Sequence, residues 1–224
     1  MLYIVPTPIG NLGDMSTRSV EVLRKVDLIL AEDTRTSRVL LDHYGVETPV
    51  RAYHQHNEHH AVEPILNALL SGQHLALISD AGTPGISDPG FLLVRAAREA
   101  DIDVTVLPGP TAFVPALVAS GLPCDRFHFE GFLPHKKGRQ SRLQWLADYP
   151  YTVVLYESPH RLVKCLEQIR EFLPDRPVCV ARELSKMHED IRTGSVEDLI
   201  GHYSQETKIR GEIVLIIGPS GKSN

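Results

Sequence analysis

At 224 residues the chain has room for one large or two small domains. Its 42% hydrophobic and 23% charged residues describe a soluble globular protein, and no apolar run approaches the ~20 residues of a membrane span. A net charge of −5 excludes a general basic coat for nucleic acid; three Cys without CxxC spacing read as free thiols of a cytoplasmic protein. The segment 1–6 lacks a basic stretch and meets Pro too early for a signal peptide. Eleven His include His54, His56, His59 and His60, but no HExxH or Cys/His pattern accompanies them, so no metal site is expected.

Strands and helices alternate along the first half. Residues 2–6 read as a strand, and 16–25 as a helix capped at Ser16 or Thr17, with Val20, Leu23 and Val26 at helical spacing. Residues 28–31 form a second strand, 37–44 a helix ended by Gly45, and 62–70 a helix ended by Ser71-Gly72. A short apolar strand at 75–78, a helix from Phe91, a strand at 104–107 and a helix to about Ser120 follow. This repeat predicts a mostly parallel sheet covered by helices.

The pattern changes near Gly121-Leu122-Pro123. Strands are expected at 127–132, 151–156, 178–182 and 212–217, with helices from about Arg139, at 161–172 and at 196–203. After the last strand comes Gly218-Pro219-Ser220-Gly221. The chain is therefore read as two α/β domains, 1–120 and 121–224, with parallel or mixed sheets. No low-complexity linker separates them, which predicts closely docked domains with a cleft between.

The densest signal is Ser79-Asp80-Ala81-Gly82-Thr83-Pro84-Gly85-Ile86-Ser87-Asp88-Pro89-Gly90, between a strand and a helix. Ordinary strand-to-helix loops run about 2–6 residues. Glycine permits positive φ and close backbone approach, while proline fixes φ. Two other predicted strand ends carry similar loops, Thr7-Pro8-Ile9-Gly10-Asn11-Leu12-Gly13 and Pro108-Gly109-Pro110-Thr111-Ala112. Open α/β sheets bind ligands at the carboxyl ends of their strands, so the three loops are expected to build one pocket. None matches GxGxxG or GxxxxGK[ST], so a nucleotide-like ligand would not be held by a pyrophosphate. Asp80 and Asp88 can order their loop by accepting backbone N–H bonds.

One basic strip stands out. His-Lys-Lys-Gly-Arg-Gln-Ser-Arg, residues 135–142, holds Lys136, Lys137, Arg139 and Arg142 and no acid. On an acidic protein it reads either as a focused polyanion contact or as a solvated loop and helix start.

Together these segments resemble the tetrapyrrole methylase superfamily. Within it the chain is similar to the bacterial enzymes that methylate a cytidine 2′-hydroxyl in the RNA of the small ribosomal subunit. The resemblance runs through Leu2-Tyr3-Ile4-Val5-Pro6-Thr7-Pro8-Ile9-Gly10-Asn11-Leu12, Ala31-Glu32-Asp33-Thr34-Arg35, the 79–90 loop and Leu107-Pro108-Gly109-Pro110. It continues through Gly121-Leu122-Pro123, Phe129-Glu130-Gly131-Phe132-Leu133-Pro134, Tyr156-Glu157-Ser158-Pro159-His160-Arg161, Ala181-Arg182-Glu183-Leu184-Ser185-Lys186 and Gly211-Glu212-Ile213-Val214-Leu215. It implies S-adenosyl-L-methionine (SAM) in the interdomain cleft, a cytidine of the 16S rRNA decoding region as methyl acceptor, and a homodimer. It also implies that Ser79, Asp80, Ala81, Gly82 and Ile86 support the methionine part of SAM, together with Thr111 and Ala112. By the same resemblance Pro8 would close the pocket near the methyl group, and Tyr156, Arg182, Glu183, Leu184 and Ile213 would lie on the adenosine side.

Two features depart from the wider family. The tetrapyrrole-acting branch usually has Gly-Asp-Pro where this chain has Asp80-Ala81-Gly82, which favours RNA over a porphyrin precursor. Many RNA-acting members also continue as a helical extension beyond the last strand, whereas this sequence stops at Asn224.

A ribose hydroxyl is a poor nucleophile near neutral pH, so a base or a cation beside the developing oxyanion is expected. The candidates are Glu157, His160, Arg182, Glu183 and Lys186, all near predicted strand ends. Arg161 either holds phosphate or pairs with Glu157. Two other readings stay open: a SAM-dependent methylase of a tetrapyrrole or corrinoid precursor, and a non-catalytic SAM-responsive ribosome-binding protein.

Overall fold

The structure is a computed structural model, and it describes residues 1–220. Its backbone divides into two compact units, Met1–Thr111 and Ala112–Asn224. Gly221 and the residues after it lie outside the described part.

The first unit is a five-stranded parallel sheet. In chain order its elements are β1 (Leu2–Ile4), α1 (Thr17–Lys25), β2 (Leu28–Ala31), α2 (Thr34–His43), β3 (Val50–Ala52), α3 (Glu58–Leu70), β4 (Leu75–Ile78), α4 (Phe91–Glu99) and β5 (Val104–Val106). The strand order is β3-β2-β4-β1-β5. Successive side chains of β4 serve opposite faces. Leu75 and Leu77 join Ile65, Leu69, Leu93 and Ala97 of α3 and α4, while Ala76 and Ile78 join Val20, Leu23 and Leu41 of α1 and α2. A strand buried on both faces needs the continuous apolar run that Leu75–Ile78 supplies. Each fully buried Leu or Ile contributes roughly 1.5–3 kcal/mol of hydrophobic free energy.

The sequence reading of this half holds with adjustments at the ends. Ser16 is the cap of α1, its Oγ accepting from Ser19 N–H at 3.0 Å. Helix α2 begins earlier, at Thr34, because the Asp33 carboxylate accepts from Arg35 N–H and caps it. Strand β3 was not expected; Val50-Arg51-Ala52 is a short, half-exposed edge strand and carries no alternating apolar signal.

The second unit opens with α5 (Phe113–Ala119) and continues as β6 (Phe127–Phe132), α6 (Arg139–Ala147), β7 (Thr152–Glu157), α7 (Leu162–Phe172), β8 (Val178–Arg182), β9 (Asp190–Gly194), α8 (Val196–Ser204) and β10 (Ile213–Ile217). The sheet is mixed, in the order β6-β7-β10-β8-β9; β6 and β7 pair in parallel and the other neighbours pair antiparallel. Val153, Leu155, Val180, Ile213, Leu215 and Ile217 pack with Leu143, Leu166, Leu199 and Tyr203 of the covering helices.

The unit boundary falls at Thr111/Ala112, not near residue 120 as the sequence suggested. Helix α5 packs on β10, so it belongs with the second sheet despite following a strand of the first. The polar strand β9 also escaped the sequence reading; Asp190-Ile191-Arg192-Thr193-Gly194 pairs only with β8 at the sheet edge. No described helix is long and apolar enough to cross a membrane.

Candidate active site

In the first unit the three Gly/Pro loops meet at the carboxyl ends of β1, β4 and β5. Thr7 and Gly82 form an antiparallel bridge, with N–H···O distances of 2.8 and 2.9 Å in the two directions. The buried Thr7 hydroxyl donates to Ser79 C=O at 3.0 Å, and Ser79 Oγ donates to Gly82 C=O at 3.1 Å. Thr83 Oγ1 donates to Pro110 C=O at 2.8 Å, tying the 79–90 loop to the Pro-Gly loop.

Two glycines make this junction possible. Gly82 sits at φ +85°, where a side chain is strained, and its α-carbon faces Ile9, Pro110 and Thr111. At Gly109 a Cβ would lie 2.7 Å from Pro6 Cβ, so only glycine lets the first and third loops approach. Thus Ser79, Ala81, Gly82 and Thr111 converge around one junction. Pro8, Ile86 and Asp80 belong to the same loops.

The junction is bordered by carboxylates. Asp80 Oδ1 accepts from Asp33 N–H at 3.1 Å, which ties the 79–90 loop to the segment after β2. Burial raises the Asp80 pKa above its ordinary value, with a smaller push from the Asp33 charge and against the lowering by the Asp33 N–H bond. Burial and then Asp80 raise that of Glu32, against a smaller lowering by His54. Asp33 moves the other way, because Arg35 bonds it through both side chain and backbone. Glu32 and Asp33 carried family resemblance in the sequence but no assigned role; their position after β2 was the available signal.

In the second unit Glu157 ends β7 with its carboxylate almost wholly buried. Arg139 donates to Oε2 at 3.0 Å, Arg161 Nε donates to Oε1 at 2.8 Å, and Ser158 N–H donates to Oε1 at 2.7 Å. Two guanidinium groups and an amide bond its oxygens and the side chain is 1% exposed, so Glu157 anchors this corner and is closed to substrate by burial. Arg161 pairs with Glu157 and His135.

Arg139 is corrected in the same way. It is 7% exposed and also donates to Gln168 at 2.7 Å, so it is not open to an external phosphate. One helical turn on, Arg142 is held by Glu130 at 2.5 and 2.6 Å and lies over the Trp145 ring. The basic strip therefore divides: Lys136 and Lys137 are exposed, Arg139 is structural and Arg142 is half-buried in an ion pair. Helical periodicity turns every third or fourth residue of such a run inward, which a count of charges does not register.

Glu183 and Ser185 follow β8 in the left-handed region, at φ 54° and 62°. Glu183 Oε1 accepts from Lys186 Nζ at 2.8 Å and from Glu212 N–H at 3.0 Å, and Lys186 also reaches Glu212 at 3.1 Å. Gly211 leaves the room: a Cβ there would lie 2.3 Å from the Glu183 carboxyl carbon. The Lys186 bond holds the Glu183 pKa below its ordinary value. Partial burial pulls Lys186 down, but its bonds to both glutamates outweigh this and raise its pKa. The pair is thus a locked carboxylate and ammonium. Arg182 donates to Glu206 at 2.8 Å, and Leu184 and Ile213 are buried beside this turn. Tyr156 packs edge-on against Phe129 and Phe132. His160 is exposed; its backbone N–H bonds Ser158, but its ring bonds no described residue.

Comparisons with known proteins agree with this architecture. The family described as Tetrapyrrole (Corrin/Porphyrin) Methylases matches residues 1–200. A protein of Synechocystis sp. named Ribosomal RNA small subunit methyltransferase I is 51% identical over 219 residues, covering 97% of this chain and 78% of its own length. A protein of the same name from Escherichia coli O157:H7 is also 51% identical over 219 residues, covering 96% of this chain and 77% of its own. Among solved structures, the methyltransferase CobJ superposes with a TM-score of 0.72 at 18% identity, covering 100% of this chain and 95% of its own. A uroporphyrin-III C-methyltransferase from Thermus thermophilus, complexed with S-adenyl homocysteine, gives 0.67 at 18% identity, with 97% and 96% covered. With the family pattern spanning most of the sequence and close relatives at half identity, the chain belongs to the tetrapyrrole methylase family.

Proposed function

We propose that this protein is a SAM-dependent methyltransferase of the small ribosomal subunit, acting on a cytidine ribose 2′-hydroxyl in the decoding region of 16S rRNA. The observation that carries the reading is the 51% identity, over nearly the whole chain, to relatives named for small-subunit ribosomal RNA methylation. The Asp80-Ala81-Gly82 sequence supports RNA over a tetrapyrrole acceptor. The working form is a cytoplasmic homodimer.

The loop junction fits the cofactor. Gly82, at φ +85°, and Gly109, where a Cβ would lie 2.7 Å from Pro6, let the loops close up around a ligand. The carboxylates of Glu32 and Asp80 complement a ligand bearing an ammonium and a sulfonium. When bound, SAM supplies an electrophilic methyl group for in-line attack by oxygen. Ser79, Asp80, Ala81, Gly82, Ile86, Thr111, Ala112 and Pro8 hold it; Tyr156, Arg182, Glu183, Leu184 and Ile213 are assigned to the adenosine by the resemblance. Orientation of this kind contributes up to about 7–11 kcal/mol to lowering a barrier.

The ionisation states sort the candidate catalytic groups. Lys186 stays an ammonium and acts by stabilising negative charge on the attacking oxygen, with Glu183 holding it in place. Glu157 is buried in its two guanidinium bonds. His160 is the candidate with an unbonded ring, and it takes the hydroxyl proton.

The test is methyl transfer from radiolabelled SAM to purified small subunits, with uroporphyrinogen and precorrin acceptors in parallel. Label in rRNA alone is expected. Label in a tetrapyrrole alone refutes the reading.

A further inference from the structure

The second unit carries an aromatic and cationic surface that the chemistry above does not use. On α6, Arg139, Leu143 and Leu146 face inward. Arg142 and Trp145 share the next face, and Tyr149, just past the helix end, stacks beside Trp145. The Arg142 guanidinium lies 4.0 Å from the Trp145 ring centre. Trp145 and Tyr149 stack at 5.8 Å with planes 23° apart, and Tyr149 meets Tyr151 edge-on at 5.8 Å. Arg126 lies over Tyr151 at 5.3 Å and bonds its hydroxyl. His128, on the edge strand β6, packs against both Trp145 and Tyr149. Trp145 is nevertheless 45% exposed and Tyr151 38%.

We propose that this face of α6 and β6 is a stacking site for unpaired bases of an RNA, with Trp145 as its contact residue. The proposal rests on the reading of the substrate as rRNA. Single exposed aromatics are ordinary on protein surfaces. Here three aromatic rings, a histidine and two guanidinium groups form one connected run. Base planes stack on aromatic rings and on Arg guanidinium planes, which is how unpaired RNA is gripped without reading its sequence.

The charge around the run points the same way. From Asp125 to Tyr151, leaving out the buried Arg139, there are four Lys or Arg against three Asp or Glu, in a chain of net charge −5. Glu130 pairs with Arg142 and His128, and Asp125 lies 4.0 Å from Arg126. Asp148 is exposed beside Tyr149. Lys136 and Lys137 are exposed just before α6 begins, and the helix start lies about 9 Å along the axis from Trp145. Stacked bases at Trp145 and phosphates at the two lysines suit successive nucleotides of one strand, whereas an apolar protein partner has no use for the cations.

Trp145 is the chain's one tryptophan, so its fluorescence reports this face directly. The full chain is titrated with an unpaired oligocytidylate and with an RNA duplex of equal length at the same salt. Saturable quenching by the unpaired strand, and much weaker quenching by the duplex, is expected. In filter binding, Trp145→Ala is expected to weaken unpaired RNA binding about 5- to 150-fold. Trp145→Phe should recover most of it, with SAM affinity and thermal unfolding unchanged in the Phe variant. Equal quenching by duplex, or Trp145→Ala binding within twofold of the parent, overturns the proposal. So does a fluorescence change that follows protein concentration and a doubling of mass, which makes a second copy the occupant. Parental methylation of small subunits is measured alongside. If it proceeds while Trp145→Ala binds normally, the stacking site alone fails; if it is absent, the substrate reading fails and takes the proposal with it.

Discussion

Removing the Glu157 carboxylate should collapse one corner of the second unit without touching phosphate recognition. The carboxylate is 1% exposed and the Arg139 side chain 8%, so the pair sits essentially out of water. Glu157→Ala leaves Arg139 buried with only Gln168 and the Pro134 carbonyl as partners, and it frees Arg161 from its anchor. Breaking a buried pair by removing one member costs about 3–5 kcal/mol, a large share of the roughly 5–15 kcal/mol that a domain has. Glu157→Gln keeps the volume and one acceptor and should cost less. Replacing both groups, as Arg139→Met with Glu157→Leu, should recover much of the loss, because the most deeply buried charge goes with its partner, while Arg161, 23% exposed, keeps His135 and water. Urea unfolding followed by circular dichroism reads all of these. The reasoning is refuted if Glu157→Ala costs under 1 kcal/mol, or if the double variant loses the sum of both single losses. A second readout separates structure from binding: Arg139→Ala should lower stability yet leave the salt slope of RNA binding unchanged.

Replacing Lys136 and Lys137 with Ala should flatten the slope of log affinity against log salt by about 1.4–1.8 and leave SAM affinity alone, as measured by filter binding across salt concentrations. Gly82→Ala should cost about 1–2 kcal/mol through its positive φ, since its Cβ would meet only ordinary contacts at 3.6 Å or more; Gly82→Leu should abolish SAM binding by calorimetry in a protein that stays folded. The locked Glu183–Lys186 pair should be insensitive to pH across the working range. With Glu183 lowered, its stabilisation is present above about pH 4.3 and is lost as pH falls through its folded pKa; with Lys186 raised, its share is present below about pH 10.4 and is lost as pH rises through its folded pKa. Glu183→Gln or Lys186→Met should therefore lower the methylation rate more than RNA binding, and should remove no inflection between about pH 5 and 10 from the rate profile.

Backbone chemistry was legible in the sequence where a residue type has few other uses. Gly82 and Gly109 marked loops that must approach closely, and the structure ties those loops together through Thr7 and Thr83. Continuous apolar runs such as 75–78 marked strands buried on both faces. The weakly apolar edge strands β3 and β9 left no such trace, because pairing on one side alone demands little of their side chains. Charge was the least legible property. Arg139 and Arg142 belong to the same run as Lys136 and Lys137, yet their partners Glu157 and Glu130 come from neighbouring strands and appear only once the chain is folded.

The most direct measurement is nucleoside mass spectrometry of rRNA from small subunits incubated with the protein and isotopically labelled SAM. The expected product is 2′-O-methylcytidine at one position of the decoding region, formed on assembled subunits and lost in Gly82→Leu. A methylated base, a methylated nucleoside other than cytidine, or no labelled nucleoside at all would contradict the proposed activity.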